Sequence, residues 1–412
     1  MSGRYLIKGG IVLTLGAKTS NHEEADVLVD EGRIVEIGTG LRSRGSEVVD
    51  AAEAIVMPGF VDTHRHLARS LFKNLGDDGR ETGGGGFSMA SAQADDFYVA
   101  TLIGLLGAVE AGITTVVDWC EAVSEEQFSA AAEAHRDSGL RTVLVDTRKP
   151  GPSRARDESG PPRAWGALVG DLEPESLAVA REAGLRVHLH AGRTAGSGGS
   201  LDGLLGPDVT VIHGSGLEAG WMNAVRTAGA SVSLTPASEM AEGAGSPPVQ
   251  ALMDLGIRPG LGVGDERVAP GDMFAQMRAL ISVQHATYFD LKLAGKGGLP
   301  NLLGTRQVIR AGTIDGAEAV GLGPVTGSLE VGKQADIVVL RADRPNIFPI
   351  NDPIGAVVWG MDTSNIHWVL SGGKALMENG ALSADVGDAR RRAASSRDRI
   401  GAAPSSAGGG TQ

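Results

Sequence analysis

Between residues 55 and 264 short apolar runs recur at 55–62, 114–119, 141–146, 164–170, 186–190, 209–213, 231–235 and 259–264. Longer stretches separate them, and at 125–138, 173–183 and 217–228 the apolar positions recur with a spacing near 3.6; residues 95–111 also read as helix. Buried strands alternating with helices predict a parallel α/β architecture. Eight such strands predict a closed (β/α)8 TIM barrel. An open doubly wound sheet would carry a G-x-G-x-x-G turn after its first strand, and none stands there.

The two ends of the chain follow a different pattern. Residues 5–7, 11–15, 25–30, 33–37 and 47–50 read as short strands separated by Gly-containing turns, as do 335–340, 356–359, 366–371 and 374–377. Neither set suffices to bury a sheet alone, so a composite β-sandwich of residues 1–57 and 341–384 is expected around a barrel of 58–340. From residue 385 an Arg-rich stretch runs into SSAGGGTQ, which predicts a partly disordered tail over 385–412. The Gly-rich stretches 83–86 and 192–203 follow the first and fifth barrel strands, where they would form lid loops over the catalytic face.

Composition narrows the classes of function. Over 412 residues, 42% are hydrophobic and 21% charged, an ordinary globular balance. The net charge of -13 provides no field for a phosphate backbone, so a small-molecule substrate is expected rather than a nucleic-acid polymer. No run of about eighteen apolar residues occurs, which argues against a membrane role, and no leader signature opens the chain. A single cysteine, Cys120, rules out an internal disulfide framework and fits a cytoplasmic setting. No base-and-orienter pattern surrounds it, so it reads as a small buried hydrophobe rather than a nucleophile. Aromatic residues, at 4%, leave few rings for stacking a substrate.

The chemistry gathers at the strand ends. His64 and His66 close the first barrel strand in an H-x-H pattern that puts both imidazoles on one side and Arg65 on the other. The fifth strand ends with His188 and His190, the sixth with His213, and the eighth with Asp265. Five of the nine histidines thus lie at the C-terminal ends of barrel strands, where such barrels place their catalytic groups. Converging buried imidazoles and a carboxylate point to a metal site. Asp118 and Trp119, at the end of the second strand, read as packing or support, with Trp119 as a pocket wall. His135 reads as a helix-surface residue, His285 as structural, and His367 as part of the sandwich.

These strings, VMPGFVDTHRHL, AGITTVVDW, VHLHAG, VIHGSGL, GLGVGD, TIDGAEAVGLG and GSLEVGKQADIVVL, make the chain resemble the amidohydrolase superfamily. Within it, the chain resembles the mononuclear branch of cytosine deaminase and the triazine chlorohydrolases. The resemblance implies that His64, His66, His190 and Asp265 hold one divalent cation, Zn²⁺ first and Fe²⁺ as the alternative. It implies one ion rather than two, because the fourth strand, AWGALVG, lacks the bridging lysine of binuclear members. A cation there would lower the pKa of its water from 15.7 toward about 7 and supply hydroxide. Asp265 would act as base as well as ligand, and His213 would stabilise charge at the attacked carbon. His188 and Trp119 would contact substrate. Members that deaminate carry a proton-shuttling Glu three residues after the fifth-strand histidine, where Arg193 stands here. Arginine supplies no proton at neutral pH, so Glu239 or Glu266 substitutes, or the substrate needs no such step, or Arg193 binds an anionic group. The expected reaction is deamination of a small N-heterocyclic compound. The alternatives are hydrolysis of an amide, urea, carbamate or cyclic amide, or a chlorohydrolase reaction, and more remotely a catalytically silent barrel used for binding or as a scaffold. A homo-oligomer is compatible with all of these.

Overall fold

The computed structural model describes residues 3–16, 20–42, 44–75, 89–150, 161–191, 203–216 and 219–402. Both predicted lid loops, 83–86 and most of 192–203, and with them Arg193, lie outside these residues. The chain opens with β1 (Tyr5–Val12), β2 (His22–Asp30), β3 (Arg33–Gly38), β4 (Glu47–Asp50) and β5 (Ala54–Pro58). It then enters the barrel through β6 (Phe60–Arg65), β7 (Ile113–Cys120), β8 (Arg141–Asp146), β9 (Arg163–Leu168), β10 (Arg186–His190), β11 (Val209–Ile212), β12 (Ser231–Leu234) and β13 (Gly260–Leu261). Finally β14 (Ile337–Arg341), β15 (Ile366–Ser371), β16 (Lys374–Glu378) and β17 (Ala381–Leu382) return to the first sheet, β14 pairing antiparallel with β5.

The barrel strands run parallel in the order β6 through β13. Just beyond β13 the ring closes on β6 through a parallel bridge between Arg65 and Gly264. The backbone bonds Gly264 N–H to His64 O (2.9 Å) and His66 N–H to Gly264 O (3.1 Å) seal it. The predicted run 55–62 is in fact two strands in two different sheets. The break falls at Gly59, where a Cβ would lie 2.2 Å from the Thr114 side chain, so only glycine lets the chain cross that close to β7.

Helices α1 (Ala94–Glu110), α2 (Glu125–Ser138), α3 (Pro174–Glu182) and α4 (Ala219–Ala228) cover the first part of the barrel. The start of α2 is fixed by a reciprocal cap between Ser124 and Gln127, and its end by Gly139 at φ 71°. Short helices α5 (Pro236–Ala241) and α6 (Val249–Asp254), the long α7 (Met273–Leu293), then α8 (Thr305–Ala311) and α9 (Ile314–Ala319) cover the rest.

Two expectations are corrected. Residues 356–359 are not a strand but lie in a π-helical turn, Ala356–Gly360, which continues the helical turn Pro353–Gly355. Asp352 caps that turn by accepting from Ile354 N–H, and Pro353 is already fixed at a helical φ. The tail is not frayed from residue 385: Val386–Ala402 is a helix docked on α1. Arg392 pairs with Asp95 at 2.6 Å, Arg399 with the buried Asp96, and Ile400 is 2% exposed. Arg392 and Arg399, both in the Arg-rich stretch, attach this helix to α1. Residues 403–412 lie outside the described chain.

Candidate metal centre

The inner face of β6 is not built by simple alternation. Val61 packs with Val117, Trp119, Val143 and Val145, and Thr63 Oγ1 reaches Ser233 Oγ on β12 at 2.5 Å, so both point into the barrel. Strict alternation would turn His64 and His66 outward. A bulge prevents this, because residues 62–65 of β6 span only 116–118 of β7. The extra residue shifts the phase, His64 and His66 face inward, and Asp62 and Arg65 share the outer side, 3.3 Å apart.

Four imidazoles converge above that layer. Nε2 of His64 and Nε2 of His66 are 3.2 Å apart, and Nε2 of His190 and Nε2 of His213 are 2.9 Å apart. The His64 ring lies 5.5 Å from that of His190 and 5.2 Å from that of His213. Donor atoms of His64, His66 and His190 all lie within 4.8 Å of one another. Donors at 2.0–2.1 Å on a tetrahedron would be about 3.3 Å apart, so the His64–His66 edge has the span of a zinc site. Burial and the neighbouring imidazoles push the pKa of His64 well down, and burial with His213 and His66 takes His190 to about 2. The His64 and His190 rings are therefore neutral and offer lone pairs, and a nitrogen-rich set of this kind fits a borderline-soft divalent cation.

Asp265 adjoins this set rather than completing it. Its carboxylate is 1% exposed and bound by two guanidinium groups, Arg69 Nη1 and Arg267 Nη2, each 2.6 Å from Oδ2. Burial raises its pKa, but Arg267, Arg69 and His66 together bring it to about 2. Arg69 also forms a bidentate pair with Glu121 at the end of β7, and Glu121 lies 3.6 Å from His66 Nδ1. Sequence reasoning missed Arg69, Glu121 and Arg267. Arg69 sits in a 3-10 turn, Leu67–Phe72, whose direction no periodicity reveals.

The remaining predicted residues fall as follows. Trp119 lies beside the imidazoles, its ring 5.8 Å from His64 and 5.3 Å from His190. His188 is buried on the same face of β10, with neither ring nitrogen hydrogen-bonded among the described residues, and burial with Arg186 lowers its pKa to about 3. Cys120 is buried, and burial raises its thiol well above the usual range. The Nε2 of His285 meets Leu303 O at 2.9 Å, away from the imidazole cluster. His135 is not a surface residue: it is 1% exposed, and its Nε2 lies 3.0 Å from Asp118 Oδ2. The other oxygen of Asp118 accepts Leu67 N–H at 3.0 Å, so this buried pair anchors the turn that follows His66. Its partner is a strand residue that helix periodicity does not reveal.

Neither substitute acid enters the mouth. Glu266 points outward to Arg65 (2.9 Å), Lys73 (2.9 Å) and Ser70 (3.0 Å). Glu239, 1% exposed, stands behind His213, accepting from Gly214 N–H, Ser215 N–H and Oγ–H, and Thr235 N–H. His213 itself has φ 66°, in the left-handed region that few residues other than glycine adopt.

A parallel eight-stranded barrel with imidazoles gathered at the C-terminal ends of β6, β10 and β11 places a group able to hold a metal ion where barrels of this fold carry their active sites. A profile of the amidohydrolase family matches residues 55–165 and 171–376, and the chain belongs to that family. It is 28% identical to the 5'-deoxyadenosine deaminase of Methanosarcina mazei, over 91% of this chain and 93% of that one. Two solved structures share the fold at 21% identity. The adenosine deaminase of Xanthomonas campestris with bound zinc superposes with a TM-score of 0.82, covering 97% of this chain and 98% of that chain. An atrazine chlorohydrolase variant of Arthrobacter aurescens, complexed with zinc and atraton, gives 0.84 over 95% and 100%.

Proposed function

We propose that this chain is a zinc-dependent aminohydrolase that removes an exocyclic amino group from a nucleoside-sized N-heterocycle and releases ammonia. The observation that carries the reading is the meeting of His64, His66 and His190 within 4.8 Å at the barrel mouth, in a chain whose full-length relatives are named deaminases. His64, His66, His190 and Asp265 would hold the cation, which supplies Lewis acidity and acidifies water. Asp265, kept ionised by Arg267 and Arg69, enters as a proton acceptor and must leave at least one guanidinium to take a proton. His213 faces the substrate. Trp119 walls the site, and His188 and Arg193 are assigned to the substrate side. Among the described residues no helix is long and apolar enough to cross a membrane; with one buried thiol, this supports a cytoplasmic enzyme.

A second reading keeps its place for a specific reason. Glu239 and Glu266 are both committed elsewhere, so no described carboxylic acid stands ready to protonate a ring nitrogen. Displacement of halide from a triazine, or hydrolysis of an amide-like bond, meets that condition. The test is metal analysis of purified protein together with ammonia and chloride release from 5'-deoxyadenosine, adenosine, cytosine and chlorotriazines. About one equivalent of zinc with ammonia release supports deamination, chloride release favours the second reading, and a protein that binds no metal overturns both. Asp265→Asn should bind substrate yet lose at least about 100-fold in turnover; unchanged turnover removes Asp265 from the mechanism.

A further inference from the structure

We propose that Arg65 and Glu266 are positioning residues for the cation: standing back to back with its donors, they set how far Asp265 lies from His64 and His66. The inference rests on the metal-dependent reading above and names what holds that ligand set together. His64 and His66 come from the end of β6, whereas Asp265 lies beyond β13, so the set is assembled across the seam where the barrel closes. Every other pair of neighbouring barrel strands is joined by a ladder. Among the described residues, strand pairing across this seam is the bridge between Arg65 and Gly264 alone, and β13 is two residues long. So short a join leaves the backbone past Gly264 little to hold it in register with β6, and the Asp265 carboxylate rides on that backbone.

Side chains on the outer surface take the place of the missing ladder. Neighbouring residues of an extended chain face opposite ways. Arg65 therefore turns away from the imidazoles on either side of it, and Glu266 turns away from the Asp265 carboxylate. One arm of the Arg65 guanidinium, Nη2, reaches Glu266 Oε1 at 2.9 Å across the seam. The other arm, Nη1, reaches Asp62 Oδ2 at 3.3 Å on its own strand and Gly271 O at 3.4 Å. Arg65, Asp62 and Glu266 are all buried. A rigid planar fork held between two carboxylates resists sliding along the strands, which an apolar contact does not. Lys73 Nζ (2.9 Å) and Ser70 Oγ (3.0 Å), from the segment after His66, tie Glu266 to the β6 side a second time. Asp62 Oδ1 adds a further stitch by accepting Val263 N–H at 2.9 Å. Gly271 leaves room for the pair: a Cβ there would meet the Glu266 carboxylate and lie 3.0 Å from Arg65 Nη2. Buried ion pairs are a weak device for stability, since apolar groups of similar volume often serve as well. Their directional geometry suits them instead to fixing the separation of metal donors on the opposite face.

Glu266→Gln keeps the size of the side chain and removes the charge that spans the seam, while Gly271→Ala keeps every charge and wedges the pair apart. Each should raise the zinc dissociation constant at least about tenfold, measured by competition with a chelator. In an Asp265→Asn background, Glu266→Gln should cost no more than about twofold further, because the carboxylate it positions is already gone. With Co²⁺ in place of zinc, the visible absorption spectrum of Glu266→Gln should move toward that of Asp265→Asn, a signature that lost stability alone does not produce. Wild-type zinc affinity in both Glu266→Gln and Gly271→Ala, or losses that multiply in full in the double variant, overturns the proposal. A wild-type protein that binds neither zinc nor cobalt defeats the metal-dependent reading itself, and the positioning role with it.

Discussion

His188 shows how a single residue reveals its purpose through what it lacks. An imidazole that is 1% exposed with both nitrogens unpaired among the described residues carries a standing penalty, since burying an unsatisfied polar group costs about 1–3 kcal/mol. A leucine of similar volume escapes that penalty. His188→Leu should therefore raise stability by about 1 kcal/mol, seen as a higher urea midpoint. The same substitution should raise KM several-fold, because a polar group retained at a loss in a barrel interior earns its place through the substrate. A variant with lower stability and unchanged KM would make His188 a packing residue instead. Its place on the inner face of β10 was legible from the V-H-L-H alternation; its isolation was not, because isolation depends on which neighbours are apolar.

At the scale of elements, the closure of the barrel beside the candidate metal centre depends on Gly262. A Cβ there would sit 2.7 Å from His64 O and 2.8 Å from His64 N, inside the contact that brings β6 to the end of β13. Both clashes are with backbone, so relief means moving the strand that carries His64. Gly262→Ala should lower zinc affinity by at least about tenfold, with a smaller loss of global stability; equilibrium metal titration against a fluorescent chelator checks it, and wild-type affinity would show that β6 yields without losing His64. Seven of the barrel strands, three of the helices and the histidine-bearing ends could be read from local patterns; the run 55–62 could not, because it divides between two sheets at Gly59. The phase of β6 could not. His64 and His66 face inward only because of the bulge between residues 62 and 65, and a bulge is fixed by pairing with β7, which lies about fifty residues away in sequence. The C-terminal helix escaped for the same reason: Arg392 and Arg399 look like a charge run until Asp95 and Asp96 are brought beside them.

The whole molecule feels the buried histidine cluster through pH. His188 and His190 have folded-state pKa values near 3 and 2, and His64 is also lowered, all by burial first. The unfolded chain binds protons at these groups near pH 6.5. Their folded values lie below that, so the stability they allow is present above pH 6.5 and is lost as pH falls. Each contributes up to about 1.4 kcal/mol per pH unit. Asp62 works in the opposite sense. Burial outweighs Arg65 and raises its carboxyl to about 6, so its contribution is full below its unfolded pKa near 3.8 and is lost as pH rises through 6. Between pH 6 and 4 it therefore offsets about one histidine, and the metal-free protein should lose about 3 kcal/mol per pH unit at the steepest. Zinc competes with protons for the same lone pairs, so its stabilisation should be large at pH 7.5 and shrink at pH 5.5. Urea midpoints of zinc-loaded and chelator-treated protein at pH 7.5, 6.5 and 5.5 measure both effects. Metal-free midpoints that stay level across this range would mean that His64, His188 and His190 are not held neutral in the fold, and the reading of this cluster as lone pairs ready for a cation would lose its physical basis.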